Sequence, residues 1–225
     1  MLTSYFQAFF YDENQSYLRC SPRKRSRSFV QGFLKLHHAI LSTNTETITA
    51  TDIDGSAQSV NTPSFFSYFH TFLSSAPGRG GHGMASEGGT TSAGTNVRQW
   101  SSSTNNGIVV GTGTTAVAPT DYQLATQILD GITSGTLEHF TCAGTNFVSA
   151  APTASFDMER LFRNSSGGSI TINEVGLYCA QSREATSTTL AHIHHFCIIR
   201  DLVSPGFVVL NGEYMRIVYT ISVTA

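Results

Sequence analysis

Apolar and polar positions alternate most regularly at the C-terminal end of the chain. In "EYMRIVYTISVTA", Met215, Ile217, Tyr219, Ile221 and Val223 share one face, the period-two pattern of a half-buried strand. "TASFDMERLF" sets Phe156, Met158 and Phe162 against Ser155, Asp157 and Glu159. "RNSSGGS" then offers a turn whose two glycines permit positive φ, and "ITINEVGLYCA" reads as the returning hairpin strand. Its apolar set changes phase, from Ile170 and Ile172 to Val175, Leu177 and Cys179, which predicts a bulge near Asn173–Glu174. "IHHFCIIRDLV" is apolar on both faces in its second half and reads as a central strand. "SPGFVVLNGE" adds a Pro-Gly turn and an Asn-Gly turn before the last strand. About six strands at this spacing predict an antiparallel β-sandwich of jelly-roll type over residues 107–225.

The pattern changes period near the N-terminus. In "SFVQGFLKLHHAIL", Phe29, Phe33, Leu36, His37, Ile40 and Leu41 fall on one helical stripe. Ser26 or Ser28 is the expected cap, and the aromatics of residues 5–11 are the expected packing partner. "TETITATDIDGSAQSV" alternates and then turns at "DIDG", a hairpin signal. These features define an N-terminal segment, residues 1–62. Residues 63–106 form a second part. It opens with an aromatic patch, Phe65, Phe66, Tyr68, Phe69 and Phe72, and continues as an arm rich in Gly, Ser and Thr that carries Trp100. Such a composition cannot bury enough apolar area by itself to offset its ordering entropy, so residues 74–107 are expected to order on assembly, with these aromatics as subunit contacts. The third part, residues 107–225, is the β-body. It opens with "GIVVGTGTTAVAPTDYQLATQI": Ile108–Val110 as a strand, glycines at the turn, Pro119 ending the pairing. Thr120 is the expected cap of a short segment whose Tyr122, Leu124, Ala125 and Ile128 latch onto the body.

Composition narrows the function classes. Charged residues make up 12 % of the chain, against about 25 % in an ordinary soluble domain, which suits a surface covered by neighbours. A net charge of −2 supplies no positive field for a nucleic-acid partner. The basic run "RKRSRS" is read as a solvated face. The first residues carry no basic region before the apolar ones, so no signal peptide is predicted, and no apolar run approaches the ~20 residues of a membrane span. Cys20, Cys142, Cys179 and Cys197 lack CxxC spacing and read as free thiols, buried as small hydrophobes.

Enzyme motifs fail one by one. "GTGTTAVAPT" has neither the lysine of a P-loop nor the third glycine of a dinucleotide fingerprint. "GRGGHG" fails in the same way, and no GxSxG elbow occurs. No cofactor is expected. "HIHH" places His192 and His194 on one strand face, as cupin-like metalloenzymes do, and His139 is the candidate third ligand. The carboxylate such sites need is missing, because Cys197, Ile198 and Ile199 stand where it would be. Glu174 and Arg160 face one another across the expected hairpin and read as a pair that fixes register.

The strings "IVVGTGTTAVAPTDYQLATQI", "FDMERLFRNSSGGSITINEVGLY" and "CIIRDLVSPGFVVLNGEYMRIVYTISV" together resemble a module of tailed-bacteriophage virion structural proteins. The likeness covers roughly residues 105–225, and "RSRSFVQGFLKLHHAIL…TDIDG" resembles, less specifically, the leader before such modules. It implies a non-catalytic component of the tail, baseplate or capsid surface, assembled in the host cytoplasm and kept in the virion. Its partners would be further copies of itself and other virion proteins. The alternative is a carbohydrate- or receptor-binding module of a phage fibre, using Tyr, Trp and Asn in its loops. Trp100 and the aromatics of residues 65–72 separate the two: between subunits in the first case, along an open groove in the second.

Overall fold

Strand alternation builds two antiparallel sheets around a shared core. The computed structural model describes residues 2–26, 28–41, 48–60, 82–83, 104–182 and 193–224. In chain order the elements are β1 (Leu2–Tyr11), β2 (Tyr17–Cys20), β3 (Lys24–Ser26), α1 (Gln31–Leu41), β4 (Ile48–Thr51), β5 (Ala57–Val60) and β6 (His82–Gly83). They are followed by β7 (Gly107–Gly111), β8 (Glu138–Ala150), β9 (Thr153–Arg163), β10 (Ile170–Ser182), β11 (Ile193–Val209) and β12 (Tyr214–Thr224). The first sheet runs β2–β1–β12–β9–β8, with β3 also on β1. In the second, β10 lies between β11 on one side and β6 and β7 on the other, and β4–β5 is a separate hairpin. Phe65, Phe66, Tyr68, Phe69, Phe72, Trp100 and His192 lie outside the described residues, as does the arm apart from His82–Gly83 and its last residues.

The inward faces meet as a sandwich does. Phe6, Ala8 and Phe10 of β1, Met158 and Phe162 of β9, and Met215, Ile217 and Tyr219 of β12 pack against Ile108, Ile172, Leu177, Ile199 and Phe207 of the second sheet. The Phe6 ring bridges the layers, 5.5 Å from Tyr219 and edge-on to Phe207 at 6.5 Å. Each such side chain removed from water contributes about 1.5–3 kcal/mol. The alternation read in β12 holds from Met215 to Tyr219, then frays: Ile221 is half-buried and Val223 exposed.

Several expectations are corrected. β9 and β10 do not form a hairpin: β9 pairs with β8 and β12, while β10 pairs with β11 and β7. The "SSGGS" turn therefore carries the chain from one sheet to the other, because turn residues set a reversal and not the sheet that receives it. β11 lies at a sheet edge rather than in the centre. Its outer side is covered by the chain before α1, through Val30 N to the Ile198 carbonyl and Arg200 N to the Ser28 carbonyl. Pro-Gly makes no turn; β11 continues through Ser204–Gly206 as a bulge, with Leu202 opposite Glu174 and Phe207 opposite Ile172. That register shift falls at Asn173, where the phase change placed it.

The N-terminal part is woven into the body. β1 pairs with β12 through ten residues, from Leu2–Val223 to Tyr11–Tyr214. α1 starts at Gln31, later than a cap at Ser26 or Ser28 would place it, because Ser26 belongs to β3 and Phe29 bridges Ile199. Its stripe packs on β11 and β4 instead of residues 5–11. Phe29 and Phe33 stack at 4.4 Å, and Leu36 joins the core. The side chains of His37, Ile40 and Leu41 lie outside the described set. Part of the basic run is engaged: Lys24 donates to the Ser204 carbonyl at 2.8 Å, and Arg23 lies 4.5 Å over Tyr5. β4 and β5 pair as expected around the "DIDG" turn.

Candidate functional site

The segment after β7 is extended, and a single carboxylate organises it. Glu174 of β10 is fully buried. Its Oε1 accepts from the backbone N–H of Gly113 at 3.1 Å and of Thr126 at 2.7 Å. Its Oε2 accepts from Ala125 N at 3.0 Å and from Arg200 Nε at 2.9 Å. Arg200 of β11 also donates to Asp121 Oδ2 at 2.6 Å and to the Thr115 carbonyl at 2.9 Å. Asp121 in turn accepts from Ala118 N. Tyr178, two turns of the pleat from Glu174, accepts from Leu124 N at 2.6 Å, and burial pushes its phenol pKa up, so it stays neutral. Residues 112–126 are thus clamped across the second sheet.

This explains the two glycines in chemical terms. A Cβ on Gly111 would stand 2.6 Å from Glu174 Oε1, and one on Gly113 would stand 2.8 Å from Ala125 Cβ and nearer still to Glu174. The glycines admit a carboxylate and a second backbone, where a phosphate loop would turn its N–H groups toward a ligand. Leu124 and Ile128 are buried as expected of the latch, whereas Tyr122 and Ala125 face outward and no helix forms there. Both Glu174 oxygens accept two hydrogen bonds and neither reaches solvent, so the group holds structure and offers no lone pair to a substrate.

Arg160 does not pair with Glu174; the two lie in different sheets. Arg160 is buried and donates to the carbonyls of Phe140 at 2.8 Å, Asn106 at 3.0 Å and Ile108 at 2.9 Å, tying β8 to β7. The histidines are placed apart. His194 Nδ1 stands 3.3 Å from Asp52 Oδ2, and Asp52 also accepts from Ser56 N and Gln58, pinning the β4–β5 turn. His139 is buried on β8, edge-on to Phe162 at 4.9 Å. Among the described residues no three His, Cys, Asp or Glu side chains form a group that could hold a metal ion. The sequence reading missed Arg200 and Asp121. The available signal was a charge pair, Arg200–Asp201, embedded in an apolar strand, which requires buried partners.

All four cysteines are free thiols. Cys179 stands opposite Phe196 and packs against the main core, while Cys197 stands opposite Tyr178 in a second cluster with Val30 and Leu124. The two point to opposite faces of one sheet and cannot bridge. Burial pushes Cys179 up to about 12 and raises Cys142 and Cys197 as well. A thiol reagent on the native protein near neutral pH is expected to label exposed Cys20 promptly, half-buried Cys179 far more slowly because its raised pKa leaves little thiolate, and Cys142 and Cys197 only after denaturation. Prompt labelling of Cys142 or Cys197 would contradict the packing.

Fold and network define a mainly-β, sandwich-like protein whose buried charges serve as internal clamps. No family model matches the chain, and neither a curated protein nor a solved structure shows significant similarity to it.

Proposed function

We propose that the chain is a non-catalytic structural component of a tailed-phage particle, on the tail, baseplate or capsid surface, built in the host cytoplasm and joined to further copies of itself and to other virion proteins. One observation carries this reading. The strings on which the virion resemblance rests supply Gly113, Asp121, Ala125, Thr126, Glu174, Tyr178 and Arg200, and these meet in the single clamp. A shared motif that is spent on holding a loop fits a building block better than an enzyme. Phe147, Ile132 and Leu129 support assembly, being 73, 64 and 60 % exposed; apolar side chains this open on a chain so poor in charge suit a surface covered by neighbours. Jelly-roll wrapping is the finer reading of the fold. The passages from β9 to β10 and from β11 to β12 between sheets favour it, and the in-sheet hairpins β8–β9 and β10–β11 do not.

Two measurements test the proposal. Particles purified from lysates of cells expressing the phage genes should contain the chain in many copies, and its absence would refute the virion role. Light scattering on the purified protein should give an oligomer. Deletion of residues 78–98 should weaken that oligomer while the circular dichroism of the β-body persists; a monomeric intact protein would refute assembly through the arm.

A further inference from the structure

Among the described residues, one long sheet edge is left open. β11 is covered by the chain before α1, through Val30 N to the Ile198 carbonyl and Arg200 N to the Ser28 carbonyl. β7 is flanked by residues 126–128, with Thr112 N donating to the Thr126 carbonyl and Ile128 N to the Val110 carbonyl. β2 and β3 are only four and three residues long, and they carry Arg19, Lys24 and Arg25. Short length and charge are two devices that keep an edge from pairing further. β8 has neither. It runs 13 residues at the end of the first sheet and pairs with β9, and no described strand lies beyond it. From His139 to Ala150 it holds no acidic residue, lysine, arginine or proline. Phe140, Phe147 and Val148 are exposed on it.

The irregularities of β8 are placed symmetrically along it. Its register against β9 slips between His139 and Cys142, and again between Thr145 and Val148. These two bulges flank a regular run, Cys142–Thr145, in which Gly144 is exposed and has no side chain. Phe140 and Val148 stand at equal distances from Gly144 along the chain. The Phe140 ring lies 6.2 Å from that of Tyr214, and Val148 stands opposite Ser155, so both belong to the outward face. Antiparallel pairing of two β8 strands about a two-fold axis at Gly144 therefore sets Phe140 of each copy opposite Val148 of the other. Such aromatic and β-branched pairs stabilise a sheet. In the same register the first bulge of one copy meets the second bulge of the other, and no like charges face one another. An unrelated strand has no reason to match this symmetry.

We propose that β8 is the surface through which two copies of the chain join, by antiparallel strand addition that continues the first sheet of one copy into that of the other. The contact is isologous: the same edge is used by both copies. Backbone groups that each edge leaves unpaired find partners on the other. The proposal rests on the reading that the chain assembles with copies of itself and names the surface that does so; it does not depend on where such an assembly is used.

The test uses the full chain carrying Cys20→Ser, which removes the exposed thiol. With Phe140→Cys and Val148→Cys added, mild oxidation should give a covalent dimer, and mass spectrometry should find the link between positions 140 and 148. The two positions lie about 26 Å apart along one strand, too far to bridge within a single chain. Separately, Val148→Lys in the parent should raise the dissociation constant for self-association at least tenfold, measured by light scattering over a dilution series. Val148 is exposed, so circular dichroism and melting temperature should stay close to those of the parent. An oligomer that is indifferent to Val148→Lys, or one that forms no link between positions 140 and 148, would overturn this contact while leaving self-assembly intact. A monomeric parent protein would overturn both. A dimer linked through β8, from a chain absent from phage particles, would uphold the contact and refute the virion role alone.

Discussion

Glu174→Ala is expected to lower the unfolding free energy by about 3–5 kcal/mol, the usual cost of breaking a buried ion pair from one side. In a domain of this size that corresponds to a fall of roughly 10 °C in melting temperature. The cost has two sources. Arg200, 2 % exposed, loses its Glu174 partner and retains Asp121 and the Thr115 carbonyl. The N–H groups of Gly113, Ala125 and Thr126 lose their acceptor altogether, and buried donors without acceptors are costly. Glu174→Gln keeps the volume and one acceptor oxygen and should cost less. The double variant Glu174→Leu, Arg200→Met should recover part of the loss, since it removes both charges, but not all of it, since the three backbone donors stay unpaired. Urea unfolding measures the free energies, and limited proteolysis should show cleavage within residues 112–126 rising in Glu174→Ala. A loss under about 1 kcal/mol in Glu174→Ala would mean that packing of Leu124 and Ile128 alone secures the loop.

Local features were readable in the sequence, and partners were not. The phase change in "ITINEVGLY" located a bulge at Asn173 because side-chain parity is a property of one strand. "DIDG" located the β4–β5 turn because an aspartate and a glycine form it locally. The sheet that receives β10 after "SSGGS" depends on contacts with β7 and β11, which no local pattern encodes. β1 was hidden for a different reason. Its outward residues Tyr5, Phe9 and Tyr11 are as aromatic as its inward Phe6 and Phe10, so alternation disappears from a two-letter pattern. Those outward rings are accommodated by arginines from 23 and 216, again a distant pairing. The clamp was half legible: its glycines and Glu174 stood out, but Arg200 and Asp121 are 79 positions apart and became partners only through the fold.

Stability is expected to fall on acidification from about pH 6.5 downward, and His139 should account for a measurable share. Burial first, and then the neighbouring Arg160 charge, lower its pKa from 6.5 to about 3, with Asp130 opposing in part. Neither ring nitrogen has a hydrogen-bond partner among the described residues, and Asp130 is engaged with the His139 backbone N–H at 2.8 Å. Between these two pKa values the unfolded chain binds a proton that the folded chain refuses. Unfolding free energy therefore rises with pH across that window, reaches its full value above the unfolded pKa, and levels off below the folded one. The slope approaches ~1.4 kcal/mol per pH unit for one proton, so acidification from about pH 6.5 to about pH 4.5 should cost roughly 2–3 kcal/mol through this residue. His139→Leu should abolish that share. It should also equal or exceed the parent in stability near neutral pH, because it removes two desolvated ring nitrogens from a site packed against Phe162. Carboxylates held low by their partners, such as Glu213 hydrogen-bonded to Arg19, also lose their contribution as pH falls, but they do so in both proteins and cancel in the difference. Urea unfolding of both proteins at several pH values gives that difference directly. Two parallel curves would mean that His139 accepts a proton without disturbing the core.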